Sequence, residues 1–326
     1  MTDLALVTGG TGFIGSAVCR RLLAEGIDVR VLHRSQSPLT ALAGLPVERH
    51  QGDILEPATL GPALAGARWL FHAAAQSDYW RHPEHVIEVA AAGTRNVLLA
   101  AAEAGVERAV LTSSSSALGV PDQDELLDEI HEFNLPPHRF PYGYAKRQAE
   151  KAALEINRRG LEVVIVNPSI VLGPGDLNRI SGSLVIATAR GQSFLWVDGG
   201  INIIHIDDVA EGHLAALRSG RDGERYLLAG ENLTWRQVFN QLADTTGRLK
   251  PWLHLPAALV PPTAAAIDLL SRLLPLPLTG NQLRMSRHYL WYDTRKSAEE
   301  LNFHASKGFQ QAAKETYAWY QEHGFL

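Results

Sequence analysis

The stretch LALVTGGTGFIGSAV, residues 4–18, constrains this chain more than any other. A short strand pattern, LALVT, runs into four glycines and then into a helical pattern. Glycine admits the positive φ of a tight turn and lets the backbone approach a phosphate with no Cβ in the way. A helix that starts near Phe13 and Ile14 points its free N–H groups and the positive end of its dipole at that phosphate. A glycine triplet alone is weak evidence. Placed between a strand and a helix at the start of a βαβ unit, it has the context that a dinucleotide site requires. Gly9, Gly12, Phe13, Ile14 and Gly15 are therefore candidate cofactor-binding residues.

The same alternation continues. DVRVLH (28–33), VERHQGD (47–53), ARWLFHA (67–73), RAVLTSS (108–114) and EVVIVNP (162–168) read as further strands. Segments 15–26, 85–105 and 144–160 read as helices between them. Such alternation predicts an α/β fold with a doubly wound parallel sheet, whose ligands lie at the carboxyl ends of the strands. After about residue 170 the pattern breaks into prolines and loops, returns once as a strand–helix unit near 201–220, and then becomes mostly helical. The predicted organisation is a dinucleotide-binding domain over 1–175 with a returning segment 201–230. A smaller, mostly helical cap takes 176–200 and 231–326.

Composition narrows the function. A net charge of −5 with no basic block argues against nucleic acid as a partner. The single cysteine, Cys19, reads as packed core and excludes an internal disulfide or a multi-cysteine metal site. No signal peptide is visible, and the most apolar stretch, 255–278, carries Pro261, Pro262, Asp268 and Arg272. It reads as a broken apolar helix of the cap rather than a membrane span. These features predict a cytoplasmic protein with no membrane partner.

NAD selection commonly uses an acid at the end of the second strand to hold the ribose 2′-hydroxyl. Here that strand ends VLHRSQS, with no acid, and Arg34 can pair a 2′-phosphate. NADP(H) is thus the expected cofactor, with NAD(H) the other candidate. Asp53, with Ile54 beside it, ends the third strand and can accept from the adenine amino group; it can equally turn the loop there.

Residues 139–150, RFPYGYAKRQAE, place two tyrosines ahead of Lys146. Residues four apart share a helix face, so Tyr142 pairs with Lys146 and Tyr144 points elsewhere. A phenol titrates near ~10, and a neighbouring ammonium favours its ionised form. Tyr142 can then act as general acid toward a carbonyl and as general base in reverse. The fifth strand ends in Ser113, Ser114, Ser115 and Ser116. Any of these hydroxyls can donate to a developing alkoxide, and Ser115 and Ser116 are also candidate substrate contacts.

Taken with HAAA (72–75), NPSIVLGPGD (167–176) and IHIDDVAEG (204–212), these motifs resemble the extended short-chain dehydrogenase/reductase family over nearly the whole chain. The likeness is greatest to its dihydroflavonol-4-reductase-like and 3β-hydroxysteroid-dehydrogenase-like branch. It also extends to the group called hopanoid-associated sugar epimerase. The resemblance implies Tyr142 and Lys146 as the proton-relay pair and, counting back from Gly119, Ser114 as the active serine. It implies cofactor contacts at His72, Ala73, Ala74, Pro168 and Ser169. The chain departs from the family pattern in places. Ala90 replaces a frequent asparagine, Asn167 stands where nucleotide-sugar members often carry arginine, and Ser115–Ser116 stand where sugar dehydratases carry an acidic pair.

Other residues were weighed. In QSDYWRHPEH (76–85), Asp78, Tyr79 and Trp80 can line a substrate pocket, whereas His82 and His85 lack a third metal ligand. His205, Asp207 and Asp208 read as a strand-to-helix junction capped by aspartate. The expected function is an NADP(H)-dependent oxidoreductase acting on a carbonyl or secondary alcohol of a small, apolar substrate. A nucleotide-sugar epimerase and a non-catalytic cofactor sensor are the alternatives. Family relatives often dimerise through helices that correspond to 85–105 and 144–160, so a homodimer is expected.

Overall fold

Val- and Ala-rich runs, each ended by a glycine or polar turn, build the large sheet of the computed structural model. It describes residues 3–75, 83–122, 125–157, 160–271 and 279–326. Strands β1 (Leu4–Thr8), β2 (Asp28–His33), β3 (Glu48–Gln51), β4 (Trp69–His72), β5 (Arg108–Thr112) and β6 (Glu162–Pro168) follow in order. A short β7 (Ile170–Leu172) comes next, then β8 (Leu195–Val197), β9 (Gly200–His205), β10 (Arg225–Leu228), β11 (Glu231–Thr234) and β12 (Leu253–Leu255). The helices are α1 (Phe13–Ala24), α2 (Leu60–Leu64), α3 (Pro83–Glu103), α4 (Pro141–Asn157), α5 (Ser183–Ala189) and α6 (Ile206–Ser219). They continue as α7 (Trp235–Thr246), α8 (Val260–Leu270), α9 (Gly280–Ser286), α10 (Arg295–Leu301) and α11 (Phe309–Glu322).

The large sheet has the order β10-β6-β5-β4-β1-β2-β3, and every pair in it is parallel. Side chains alternate across its faces. Ala5 and Val7 enter one core with Val18, Leu22, Val209 and Leu214 of α1 and α6. Leu6, between them in sequence, enters the opposite core with Val97, Leu98, Ala153 and Ile156 of α3 and α4. Burial on both faces explains why the central strands are nearly all apolar. The outer strand β3, Glu-Arg-His-Gln, is largely exposed, a polar edge that resists pairing with other chains.

Strand order reverses between β1 and β4, which opens a crevice at their carboxyl ends. At the other flank the chain leaves the sheet abruptly. Ser169 alone separates β6 from β7, and β7 belongs to a second sheet, β11-β9-β7. The segment 201–230 divides in the same way. β9 joins the second sheet, whereas α6 packs on α1 and β10 completes the large sheet. The cap has its own core of Leu172, Val185, Ile203, Leu233, Leu242, Phe309 and Tyr320. Leu301 and Phe303, at the end of α10, return to the core of the large sheet.

Candidate active site

The glycine loop sits at the crevice. Gly9 has a φ of +72°, and a Cβ there would lie 2.6 Å from the backbone of Ala73 and Ala74. The turn after β4 is thus pressed against the loop, and Ala73 N donates to Thr8 O at 3.1 Å. A Cβ on Gly15 would stand 2.2 Å from the Gly9 carbonyl. Gly12 caps α1 without a side-chain acceptor, and the first turn of α1 carries no acid. The first N–H groups of that helix, on Phe13 and Ile14, are left for an anion, which fits the pyrophosphate of a nicotinamide dinucleotide.

Arg34 follows β2 directly, is exposed and makes no ion pair among the described residues. Asp53 is partly exposed, and its Oδ1 accepts from Leu55 N at 2.9 Å, which closes the turn after β3. Ile54 packs against Gly93 of α3, where a Cβ would stand 2.6 Å from its Cδ1. Its carbonyl accepts from Asn96 Nδ2 at 3.1 Å.

Helix α4 begins at Pro141, three residues before the start expected from its pattern, because proline at the first helical position needs no N–H partner. Tyr142 therefore lies in the first turn, on the face of Lys146. The Lys146 Nζ is 6.0 Å from the centre of the Tyr142 ring and donates to Thr112 O, the last carbonyl of β5, at 2.9 Å. Tyr142 is half-buried, and Tyr144 turns instead toward Phe133, with ring centres 5.9 Å apart. Lys146 is only 7% exposed. Burial pushes its ammonium down to about 8, against the raising influence of the Glu150 carboxylate.

His72 ends β4 with its ring buried. It bridges Thr8 Oγ1 at 2.6 Å and Thr94 Oγ1 at 3.1 Å. Burial first, and the Lys146 charge second, hold it down at about 3, so it stays neutral. Ala90 lines a hollow of about 20 Å³ shared with Ala74, Thr94, Thr112, Tyr142 and Lys146. That is room for about one water beside the ammonium.

The four serines differ in their commitments. Ser113 Oγ donates to Glu150 Oε1 at 2.5 Å. Ser115 hydrogen-bonds Tyr292, whose phenol burial pushes up to about 12 against that bond. The Ser116 carbonyl packs beneath Gly143, where a Cβ would stand 2.4 Å away, and the residue is half-buried. Ser114 Oγ accepts from Ser116 N at 3.2 Å and caps the turn Ser115–Leu118. Its own O–H has no acceptor among the described residues, so a donor remains at the strand end.

Beyond β6, Pro168 is buried and Ser169 N donates to Leu228 O at 3.0 Å. The Ser169 hydroxyl is buried with no partner among the described residues. Asp78 and Tyr79, like Trp80 and His82, lie outside the described residues, and no cluster of metal-ligating side chains occurs among those described.

One expectation is corrected. The α6 junction is capped by His205, whose Nδ1 accepts from Asp207 N at 3.0 Å, and not by an aspartate. Asp208 is buried and instead binds Ser306 N, Ser306 Oγ and Lys307 N. Cys19 is packed core as expected. The sequence reading missed Thr94 and Glu150; for Glu150 the signal was there, four residues beyond Lys146 on the same face.

Comparisons with known proteins give the family. The model of the NAD dependent epimerase/dehydratase family matches residues 5–229. A putative dihydroflavonol 4-reductase of Synechocystis sp. is 35% identical, over 100% of this chain and 97% of its own length. Sterol demethylase protein B of Methylococcus capsulatus is 32% identical, over 98% and 99%. The crystal structure of gox2253 superposes with a TM-score of 0.89 at 36% identity, covering all of both chains. The chain belongs to the NAD dependent epimerase/dehydratase family of extended short-chain dehydrogenase/reductases, as an NAD(P)-dependent oxidoreductase.

Proposed function

We propose that this protein is an NADP(H)-dependent reductase or dehydrogenase of an apolar ketone, aldehyde or secondary alcohol. The observation that carries this reading is the buried Lys146, pinned by the Thr112 carbonyl beside the Tyr142 ring at the carboxyl end of the sheet. A bound nicotinamide supplies hydride to the carbonyl carbon, or accepts it in the reverse direction. Ser114 donates its free O–H to the substrate oxygen and fixes its place. Tyr142 gives its phenol proton to that oxygen in reduction and takes it back in oxidation. The Lys146 ammonium favours the phenolate that remains. Burial first, and the Lys146 charge second, keep His72 neutral, so its ring does not compete with Tyr142 as an acid.

NADP(H) is favoured because no acid closes β2 and Arg34 is exposed and makes no ion pair among the described residues. Asp53 faces the adenine end of the same cofactor in this reading, and Ala73, Ala74, Pro168 and Ser169 line its nicotinamide half.

An apolar substrate is favoured by what holds Asn167 and two cap arginines among the described residues. A diphosphate needs arginine or lysine. Asn167 is fully buried, and its amide is spent on Glu150 and the Ser114 carbonyl. In the cap, Arg284 pairs with Asp268 at 2.8 Å, and Arg179 lies over the Phe325 ring. The test is thermal stabilisation and turnover with NADPH and with NADH, across a panel of apolar carbonyl compounds, alcohols and nucleotide sugars. Turnover of an apolar carbonyl with exchangeable NADPH is expected. NAD retained through purification, with stabilisation by a nucleotide sugar alone, refutes the reading and favours an epimerase.

A further inference from the structure

Beneath the Tyr142–Lys146 pair, one buried carboxylate gathers four separate pieces of the fold. Glu150 is completely buried on α4, one helical turn beyond Lys146. Its Oε1 accepts from Ser113 Oγ at 2.5 Å and from Asn167 Nδ2 at 2.6 Å. Its Oε2 accepts from Arg147 Nη1 and Arg225 Nη1, each at 3.2 Å. Ser113 follows the end of β5, Asn167 lies at the end of β6, and Arg225 begins β10. The same Asn167 Nδ2 also reaches the Ser114 carbonyl at 2.9 Å.

A carboxylate removed from water this completely is costly unless every lone pair is used and its charge is matched. Here both oxygens are doubly bonded, and two guanidiniums share the charge. A salt-bridged apolar core could be replaced by an apolar one at little cost to stability, so a purely structural account leaves its place unexplained. Its position supplies the reason: it lies one turn beyond Lys146 on the same helix face, and it grips Ser113 and, through Asn167, the Ser114 carbonyl.

We propose that Glu150 is a positioning residue for the Ser114–Tyr142–Lys146 site, holding the Ser114 turn in place and keeping the Lys146 ammonium charged. The proposal rests on the assignment of those three residues made above. The charged groups facing Glu150 are Arg147 on its own helix and Arg225 on β10, with Lys146 one turn away. Glu132, from the loop before α4, pairs with both arginines on their outer side. Loss of the Glu150 charge leaves the two arginines with Glu132 alone. Lys146 then loses the carboxylate that raises it, so it releases its proton at lower pH. The lowered ammonium range given by burial, about 8, places this change within reach of neutral pH.

The test reads Lys146 itself. The chain has few lysines, Lys146, Lys151, Lys250, Lys296, Lys307 and Lys314, so side-chain NMR of ¹³C-lysine-labelled full-length protein resolves each one. The Lys146 signal is the one missing from Lys146→Arg. In Glu150→Gln its titration midpoint is expected to fall by about one pH unit, tenfold in the acid constant. Glu150→Asp keeps the charge but withdraws it by one methylene, and the midpoint falls in the same direction by less. If Glu150→Gln does not fold, Glu150→Asp decides alone. A midpoint unchanged from the wild type in folded variants, however much their stability drops, overturns the proposal. The readout needs no substrate. Tyr142→Phe that retains carbonyl reduction would sink the underlying assignment instead.

Discussion

Replacing Lys146 with methionine should inactivate the protein and at the same time stabilise it. The folded state holds the Lys146 ammonium at about 8, against an ordinary value of 10.5, chiefly through burial. That depression of about 2.5 units corresponds to about 3 kcal/mol of native-state cost while the group is protonated in both states. Methionine fills the space of the lysine stem without the charge. It forfeits the bond to Thr112 O, which returns about 1 kcal/mol. Below pH 8 the variant is therefore expected to be about 2 kcal/mol more stable.

The sign then changes with pH. Between about 8 and 10.5 the unfolded chain still binds the proton that the native wild type has shed, so wild-type stability rises. The advantage of Lys146→Met shrinks across that window and ends at about 1 kcal/mol in favour of the wild type. Urea unfolding of both proteins at pH 7 and at pH 10, with carbonyl reduction measured alongside, checks each part. A variant less stable than wild type at pH 7, or a difference that does not change with pH, refutes the reasoning. Stability given up at a functional group is a familiar trade, and here a single residue carries it.

Tyr142→Phe is expected to lower turnover by about 10²- to 10⁴-fold with NADPH affinity nearly unchanged, whereas Tyr144→Phe, packed on Phe133, leaves most activity; steady-state kinetics and cofactor titration separate the two. Arg34→Ala should weaken NADPH by about tenfold or more and NADH little, measured by fluorescence titration, with equal losses counting against the 2′-phosphate contact. Light scattering at micromolar concentration is expected to give a dimer mass, since α3 and α4, the helices through which relatives often pair, carry alanine-rich faces; a monomer mass rejects it.

The parts of this molecule that obey local rules were legible in its sequence. Short apolar runs and glycine punctuation locate the first six strands to within about two residues, because all of them but the polar edge strand β3 are mostly buried. Gly9 and Gly15 were readable because the close approach they permit excludes every other side chain. Long-range partners were not readable. Nothing local in Glu150 announces that Arg225, 75 residues away, lies against it, and nothing in INIIHI tells β9 to leave the large sheet for the small one. His205 read as part of a junction capped by aspartate, yet its own buried ring caps the helix and its Nε2 hydrogen-bonds Glu315. That Ser113 and Ser115 spend their hydroxyls on Glu150 and Tyr292, both distant in sequence, was equally unreadable.

The single-residue passage at Ser169 has a consequence for how the chain emerges during synthesis. The strand that completes the large sheet beside β6 is β10, and β7, α5, β8, β9 and α6 are all made before it. A nascent chain therefore presents the bare edge of β6, with its row of Val and Ile residues, for as long as it takes to extend from Pro168 to Leu228. At about 5–20 residues per second that interval lasts several seconds. An unpaired apolar edge is a template for association with other chains. Chains truncated just before Arg225 should pellet on expression, while chains that extend past Leu228 gain the strand that closes the edge.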